Sequence, residues 1–202
     1  PMSELHLHDA PTESRIAWIA GTQKVPVEVA ATGPRVIGIG ACHAERVMFT
    51  LGADLDRLAW GIKVAREARQ QAGLDPNGVA FGAYLNLACH ADIAAARNLV
   101  RGGLTTFARF NVMHGRTMGP WSDAAQSALH TLVSNYDMNK HTQGDSRQAG
   151  TLTGDFIDHF AIVGTPEACL ERLQGLAALG LDKIVIGGRI ALSGNPDAAR
   201  AL

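Results

Sequence analysis

Thr32, Gly33 and Pro34 come first among the residues that could do chemistry, because they stand where an apolar run, Val25 to Ala31, gives way to a helix-like stretch from Arg35. A strand-to-helix junction of this kind presents free backbone N–H groups at the positive end of the helix dipole, a cradle for a phosphate or another anion. Gly33 lets an anion approach the backbone. Pro34 has no N–H, so the donors are its neighbours and the Thr32 hydroxyl. The plain alternative is an ordinary turn. Gly187-Gly188-Arg189 closes the last apolar run in a similar way, with a tight turn as its own plain alternative. Thr50 and Gly52 close the second run, and Asn86, Cys89 and His90 follow the third. Ligands of α/β proteins gather at the carboxyl ends of strands, so these positions are expected on one face.

Other chemistries find little support. His6 and His8 alternate in a coil-like stretch, and Cys42-His43 and Cys89-His90 are adjacent pairs without C-x-x-C or H-x-x-x-H spacing, so no metal site is expected. His114 could serve as a general acid or anion contact, with a solvated loop histidine as the plainer reading. Asp9, Glu13 and the helix carboxylates read as surface charge. There is no G-x-S-x-G elbow, no G-x-x-x-x-G-K-[ST] loop and no G-x-G-x-x-G fingerprint. No catalytic residue is assigned.

The elements that would position these residues alternate in type. Strands are expected over 25–31, 46–51 and 78–88, with a fourth inside 180–188. Helices are expected over 35–44, from Asp54 as N-cap to Ala72, over 92–107, over 123–136 and from Thr165 to Leu179. Leu55, Leu58, Ile62, Ala65 and Ala68 mark the apolar face of the second helix, and Gly73 sits where a C-terminal glycine belongs. Residues 109–122 read as a loop, and Asn139 to Gly150 as surface loop or short irregular helix. Ser14 to Ala20 could form a short helix within an otherwise irregular segment, 1–24. Alternating strands and helices make a parallel sheet with helical crossovers. Four strands fit either a small open sheet or half of a barrel.

Composition narrows the partners. The 202 residues carry a net charge of −1, with Lys and Arg scattered, so no nucleic-acid partner is expected. No apolar stretch approaches the roughly 18 residues of a membrane span. Three cysteines far apart argue against a disulfide framework and for a reducing, cytoplasmic setting. The N-terminus lacks a signal-peptide pattern. It begins at Pro1 without an initiator Met, which leads us to expect sequence upstream.

The run Val25-Pro-Val-Glu-Val-Ala-Ala-Thr-Gly-Pro-Arg35 resembles the middle of the luciferase-like family of flavin monooxygenases and deazaflavin (coenzyme F420) dependent oxidoreductases. Its continuation resembles that family in order: His43-Ala-Glu-Arg-Val-Met-Phe-Thr50, the helix ending Ala65-Arg-Glu-Ala-Arg-Gln-Gln-Ala-Gly-Leu-Asp75, then Val163 to Leu173 and Leu179 to Ile186. The resemblance covers about residues 20–190 and is greatest to the methylene-tetrahydromethanopterin reductase-like branch. It implies an α/β fold of the TIM (β/α)8-barrel family, with residues 25–202 as its C-terminal half, about strands five to eight, and helical insertions before the last strand. It further implies hydride transfer between F420 and an organic small-molecule substrate, with FMN as the alternative cofactor. A non-catalytic, self-associating half-barrel is the reading from another class. Thr32, Gly33 and Pro34 would lie by the cofactor phosphate, with Thr50 and Gly52 at the cofactor or substrate mouth. The family's usual Asp-Gly is replaced here by Glu45-Arg46, and Gly52-Ala53 lacks the lysine of its sugar-phosphate dehydrogenases. The family's acid–base residues come largely from the other half of the barrel. Exposed sheet edges lead us to expect a homo-oligomer or association with such a half.

Overall fold

The computed structural model describes residues 21, 23–113 and 115–187. Four parallel strands stand side by side: β1 (Glu28–Ala31), β2 (Arg46–Phe49), β3 (Ala80–Cys89) and β5 (Lys183–Gly187). A short fifth strand, β4 (Ile162–Gly164), pairs with Leu87–Cys89, beyond the residues of β3 that β2 reaches. The crossovers are α1 (Pro34–His43), α2 (Leu55–Gln71) and α7 (Pro166–Ala178). Between β3 and β4 lie α3 (Ile93–Phe110), α4 (Asp123–Ser134), a 3-10 turn (Met138–Lys140), α5 (Arg147–Gly150) and α6 (Gly154–Phe160). This is the α/β fold with a parallel sheet that the alternation predicts, and the helical insertion falls before the last strand.

The register divides the sheet into two chemically different faces. Ala30, Met48, Gly82 and Lys183 lie in one row across it, and Ala31, Phe49, Ala83 and Ile184 in the next. Because strand side chains alternate, Val47, Phe49, Phe81, Ala83, Leu85 and Leu87 share one face, where they pack with Ile37 and Ala41 of α1, Leu58, Ile62 and Ala65 of α2, and Leu176 of α7. Phe49 stacks on Phe81 at 5.7 Å between centroids. Opposite them runs a narrower, more polar face of Glu28, Arg46, Met48, Gly82, Tyr84, Asn86 and Lys183. A second core joins α3, α4 and α6 through Leu104, Leu129, Leu132, Ile157 and Phe160.

Several expectations are corrected. β1 begins at Glu28 rather than Val25, because Val25 and Val27 are exposed. β3 runs to Cys89, its end extended by pairing with β4. β4 and α6 were not expected; three and seven residues are too short to carry a period. Thr153 nevertheless caps α6 by accepting from the Phe156 N–H. On α2, Leu55 is exposed and Arg57 is buried in its place. The short helix expected over Ser14 to Ala20 lies outside the described residues. No helix among the described residues is long and apolar enough to cross a membrane.

Gly82 shows how closely the two faces are fitted. A Cβ there would stand 2.5 Å from Met48 Sδ and 2.7 Å from the Lys183 carbonyl oxygen. The methionine could swing aside; the strand backbone cannot. Gly82→Ala is therefore expected to destabilise the fold by about 1–3 kcal/mol, and Met48→Ala to restore only part of that loss. Urea unfolding of the single and double variants checks this, and full rescue by Met48→Ala would show that the β3–β5 spacing is not the constraint.

Candidate functional site

Because the strands run parallel, Thr32, Thr50, Asn86 and Gly187 all come to the carboxyl end of the sheet. Thr32, Gly33 and Pro34 are half-buried at the end of β1, with Gly33 as the N-cap of α1 and Pro34 in its first turn. Among the described residues no side chain caps α1, whereas Asp54, Asp92, Ser122, Ser146, Thr153 and Thr165 each cap the helix that follows them. Gly33 has an ordinary extended backbone, φ −114°, and a Cβ added to it would meet nothing within 4 Å. Neither backbone strain nor packing within the described residues demands a glycine there.

Thr50 is buried, and its hydroxyl donates to the Ala31 carbonyl at 3.4 Å while its N–H donates to the same oxygen at 3.0 Å. Its own carbonyl accepts from Asn111 Nδ2 at 3.0 Å. Gly52 has φ +83°, and a Cβ on it would lie 2.5 Å from the Phe160 ring. Phe160 packing accounts for that glycine. Asn86 Nδ2 donates to the Gly187 carbonyl at 3.0 Å, while its Oδ1 is buried with no partner among the described residues. His90 Nδ1 lies 2.9 Å from the Asp92 backbone nitrogen and 3.2 Å from the Asp92 carbonyl oxygen. Cys42 and His43 fall at the far end of α1 and so at the opposite end of the sheet. Gly188, Arg189, His6, His8, Asp9, Glu13 and His114 lie outside the described residues, among which no His, Cys, Asp and Glu group could hold a metal ion.

Behind the strand ends is a cation that the spacing did not reveal. Arg57 is 1% exposed and, among the described residues, has no carboxylate in salt-bridge contact. Its Nε donates to the Leu51 carbonyl at 3.1 Å, one terminal nitrogen to the Met118 and Pro120 carbonyls at 3.2 and 3.0 Å, and the other to Asn111 Oδ1 at 2.8 Å. The guanidinium lies 3.4 Å from the Trp121 ring centroid, Trp121 stacks on Phe160 at 5.9 Å, and Phe160 on Phe156 at 5.2 Å. Burial pushes the Arg57 guanidinium down to about 9, opposed by the charge of Asp54, so it is a cation at neutral pH. One signal was available in the sequence: a positive side chain in the first turn of a helix opposes the helix dipole and needs another reason to be there. A groove of about 730 Å³ adjoins this stack, bordered by Asp54, Asp56, Trp121, Asp155, Phe156 and His159. None of Thr32, Gly33, Pro34, Thr50 or Gly52 lines it.

The opposite end of the sheet is occupied by ion pairs. Arg46 donates to Glu28 at 2.6 Å and to both oxygens of Asp182 at 3.1 Å, and Lys183 donates to both oxygens of Glu28 at 2.9 and 2.8 Å. Lys183 first, then Arg46, hold the Glu28 carboxylate below its usual range. Glu45 pairs with Lys24 and accepts from the Val27 N–H. The Glu45-Arg46 departure thus serves this network, away from the strand ends that face Thr32.

The family model described as luciferase-like monooxygenase matches residues 6–183. The chain is 24% identical over 180 residues to a 5,10-methylenetetrahydromethanopterin reductase of Methanolobus tindarius, covering 88% of this chain and 52% of that protein. It is 25% identical over 171 residues to a protein of the same description from Archaeoglobus fulgidus, covering 82% of this chain and 49% of that one. It shares its fold, at a TM-score of 0.61 and 18% identity, with the coenzyme F420 dependent tetrahydromethanopterin reductase of Methanopyrus kandleri, covering 88% of this chain and 48% of that one. The chain therefore spans about half the length of the curated relatives it matches.

Arg57→Met keeps most of the apolar stem but leaves four acceptors without their donor. A loss of about 3–5 kcal/mol is expected in urea unfolding. Arg57→Lys, with one ammonium in place of the fork, should recover less than half of it. Unfolding midpoints within error of wild type for both variants would show that the buried cation is dispensable.

Proposed function

We propose, from the premise that this chain belongs to the luciferase-like monooxygenase family, that it is the cofactor-phosphate half of a deazaflavin-dependent oxidoreductase. In this reading β1, β2, β3 and β5 are strands five to eight of a (β/α)8 barrel. Each of β1 and β5 pairs on one side only among the described residues, and a second half-barrel or another copy of the chain would cover those edges. The reductase relatives and the F420-dependent fold neighbour favour F420 as cofactor. The alternative is FMN and oxygen activation, favoured by the monooxygenase description of the family as a whole.

The observation that carries the proposal is the uncapped start of α1. Among the described residues Gly33 leaves open space in front of a helix N-terminus, without a packing or strain reason for glycine, and the half-buried Thr32 immediately precedes it. A phosphate fits such a place because free N–H groups and the dipole both favour an anion. Thr32, Gly33 and the first N–H groups of α1 would hold that phosphate, while Thr50 and Asn111 keep the neighbouring strand end in place. When bound, the deazaflavin supplies a carbon centre that accepts or gives hydride; the protein binds and orients it. The acid–base groups belong to the other half of the barrel, so the 202-residue chain by itself is expected to bind cofactor without appreciable turnover.

Fluorescence quenching with F420 and with FMN tests the cofactor, and tighter binding of F420 is expected. Gly33→Asp tests the site, because the open space and extended backbone accept an aspartate that caps α1 with its own carboxylate. The variant should melt at or above the wild-type temperature yet bind F420 at least tenfold more weakly by charge repulsion. A folded Gly33→Asp protein with wild-type affinity would remove the phosphate from this helix.

A further inference from the structure

Two of the three cysteines, 80 positions apart in the sequence, meet in the fold. Cys89 is the last residue of β3 and pairs with Gly164 of β4. Gly164 has φ +140° and turns the chain directly into α7, whose Pro166 start and Thr165 cap bring Cys169 back over the strand ends. Cys169 Sγ lies 3.6 Å from the Gly164 carbonyl oxygen and 3.9 Å from that of Ala88, the residue before Cys89. Cys89 packs against the same apolar cluster that contains Cys169. Cys169 is 5% exposed and Cys89 is half-buried, so a reagent reaches Cys89 first. Neither is in a disulfide, and Cys42 lies on α1 at the other end of the sheet. Packing alone asks only for small apolar side chains in these places and does not explain two thiols gathered at one strand end.

We propose that Cys89 and Cys169 form a dithiol modification site, oxidised to an intramolecular disulfide by exchange with a low-molecular-weight disulfide. The Cys89 thiolate attacks the external disulfide RS–SR, forming Cys89–S–S–R and releasing one RS⁻. Cys169, deprotonated, then attacks the Cys89 sulfur, forming the Cys89–Cys169 bond and releasing the second RS⁻. The two thiol protons end on the two thiolates released, so two protein thiols and one RSSR become one protein disulfide and two RSH. Burial, and secondarily Cys89, raises the Cys169 thiol to about 11, which makes Cys169 the resolving partner and not the first nucleophile. The product ties the carboxyl end of β3 to the first turns of α7. This inference is independent of which cofactor the chain binds.

The test uses the full chain carrying Cys42→Ser, so that only the two cysteines in question react. Exposure to oxidised glutathione, followed by alkylation and intact mass measurement, should give a species lighter by about 2 Da with no alkylatable thiol. Peptide mapping without reductant should recover the segments of Cys89 and Cys169 joined. With Cys169→Ala added, Cys89 should instead keep a glutathione adduct. In denaturing urea the adduct of the Cys42→Ser chain should resolve at least tenfold more slowly, because the fold supplies the proximity. A lasting glutathione adduct on the folded Cys42→Ser chain, two thiols still alkylatable, or equal resolution in urea would each overturn the proposal. Since the main readout comes from a protein with both cysteines intact, it does not depend on the folding of Cys169→Ala.

Discussion

Arg57 is a charge taken out of water without a counter-charge in contact among the described residues, and much of the carboxyl end of the sheet is arranged around it. Leaving a guanidinium buried and unpaired would be prohibitive, so its donors must be met by fixed acceptors. The acceptors come from the end of β2 (Leu51), from Asn111 just after α3, and from the loop at Met118 and Pro120. The end of β2 and the stretch from Asn111 to Pro120, distant from it in sequence, are thereby held at one point. Trp121 covers the face of the cation, and the aromatic stack carries the contact into α6. The helical insertion is joined to the parallel sheet through this residue as well as through apolar packing.

That constraint extends to the strand ends. Asn111 is shared between Arg57, which donates to its Oδ1, and the Thr50 carbonyl, to which its Nδ2 donates. Phe160 presses against Gly52 closely enough to exclude any side chain there, and its carbonyl accepts from the Ala53 N–H. The end of β2 is thus immobilised from two directions, while at the end of β1 no described residue stands within 4 Å of a Cβ placed on Gly33. A rigid strand end beside an open helix N-terminus is an arrangement that can hold a ligand without reorganising.

The other end of the sheet has a different balance. Glu28, Arg46, Asp182 and Lys183 form a linked set of partly exposed ion pairs on the face opposite the helices. Isolated surface pairs contribute little. Here one carboxylate serves two cations from two strands, and the set joins β1 and β5 across β2 and β3. It sits on the face that a closed barrel would turn inward, beside the small and medium residues Ala30, Gly82 and Met48.

The parallel α/β alternation, most helix starts and the family were legible in residue order alone. Those are local properties: Pro34 and Thr165-Pro166 mark helix starts, Asp54 and Asp92 cap α2 and α3, and the ordered run from Val25 to Ile186 carries the resemblance. The same locality explains the gathering of Thr32, Thr50 and Asn86 at one end, since parallel strands can end only there. Tertiary structure alone decided the rest. β4 exists because β3 outruns β2 and leaves backbone groups to be paired; the burial of Arg57 depends on carbonyls about sixty residues away; and Cys89 meets Cys169 through a turn at Gly164. Each depends on partners far apart in the chain, and single-sequence periodicity holds no record of such pairs.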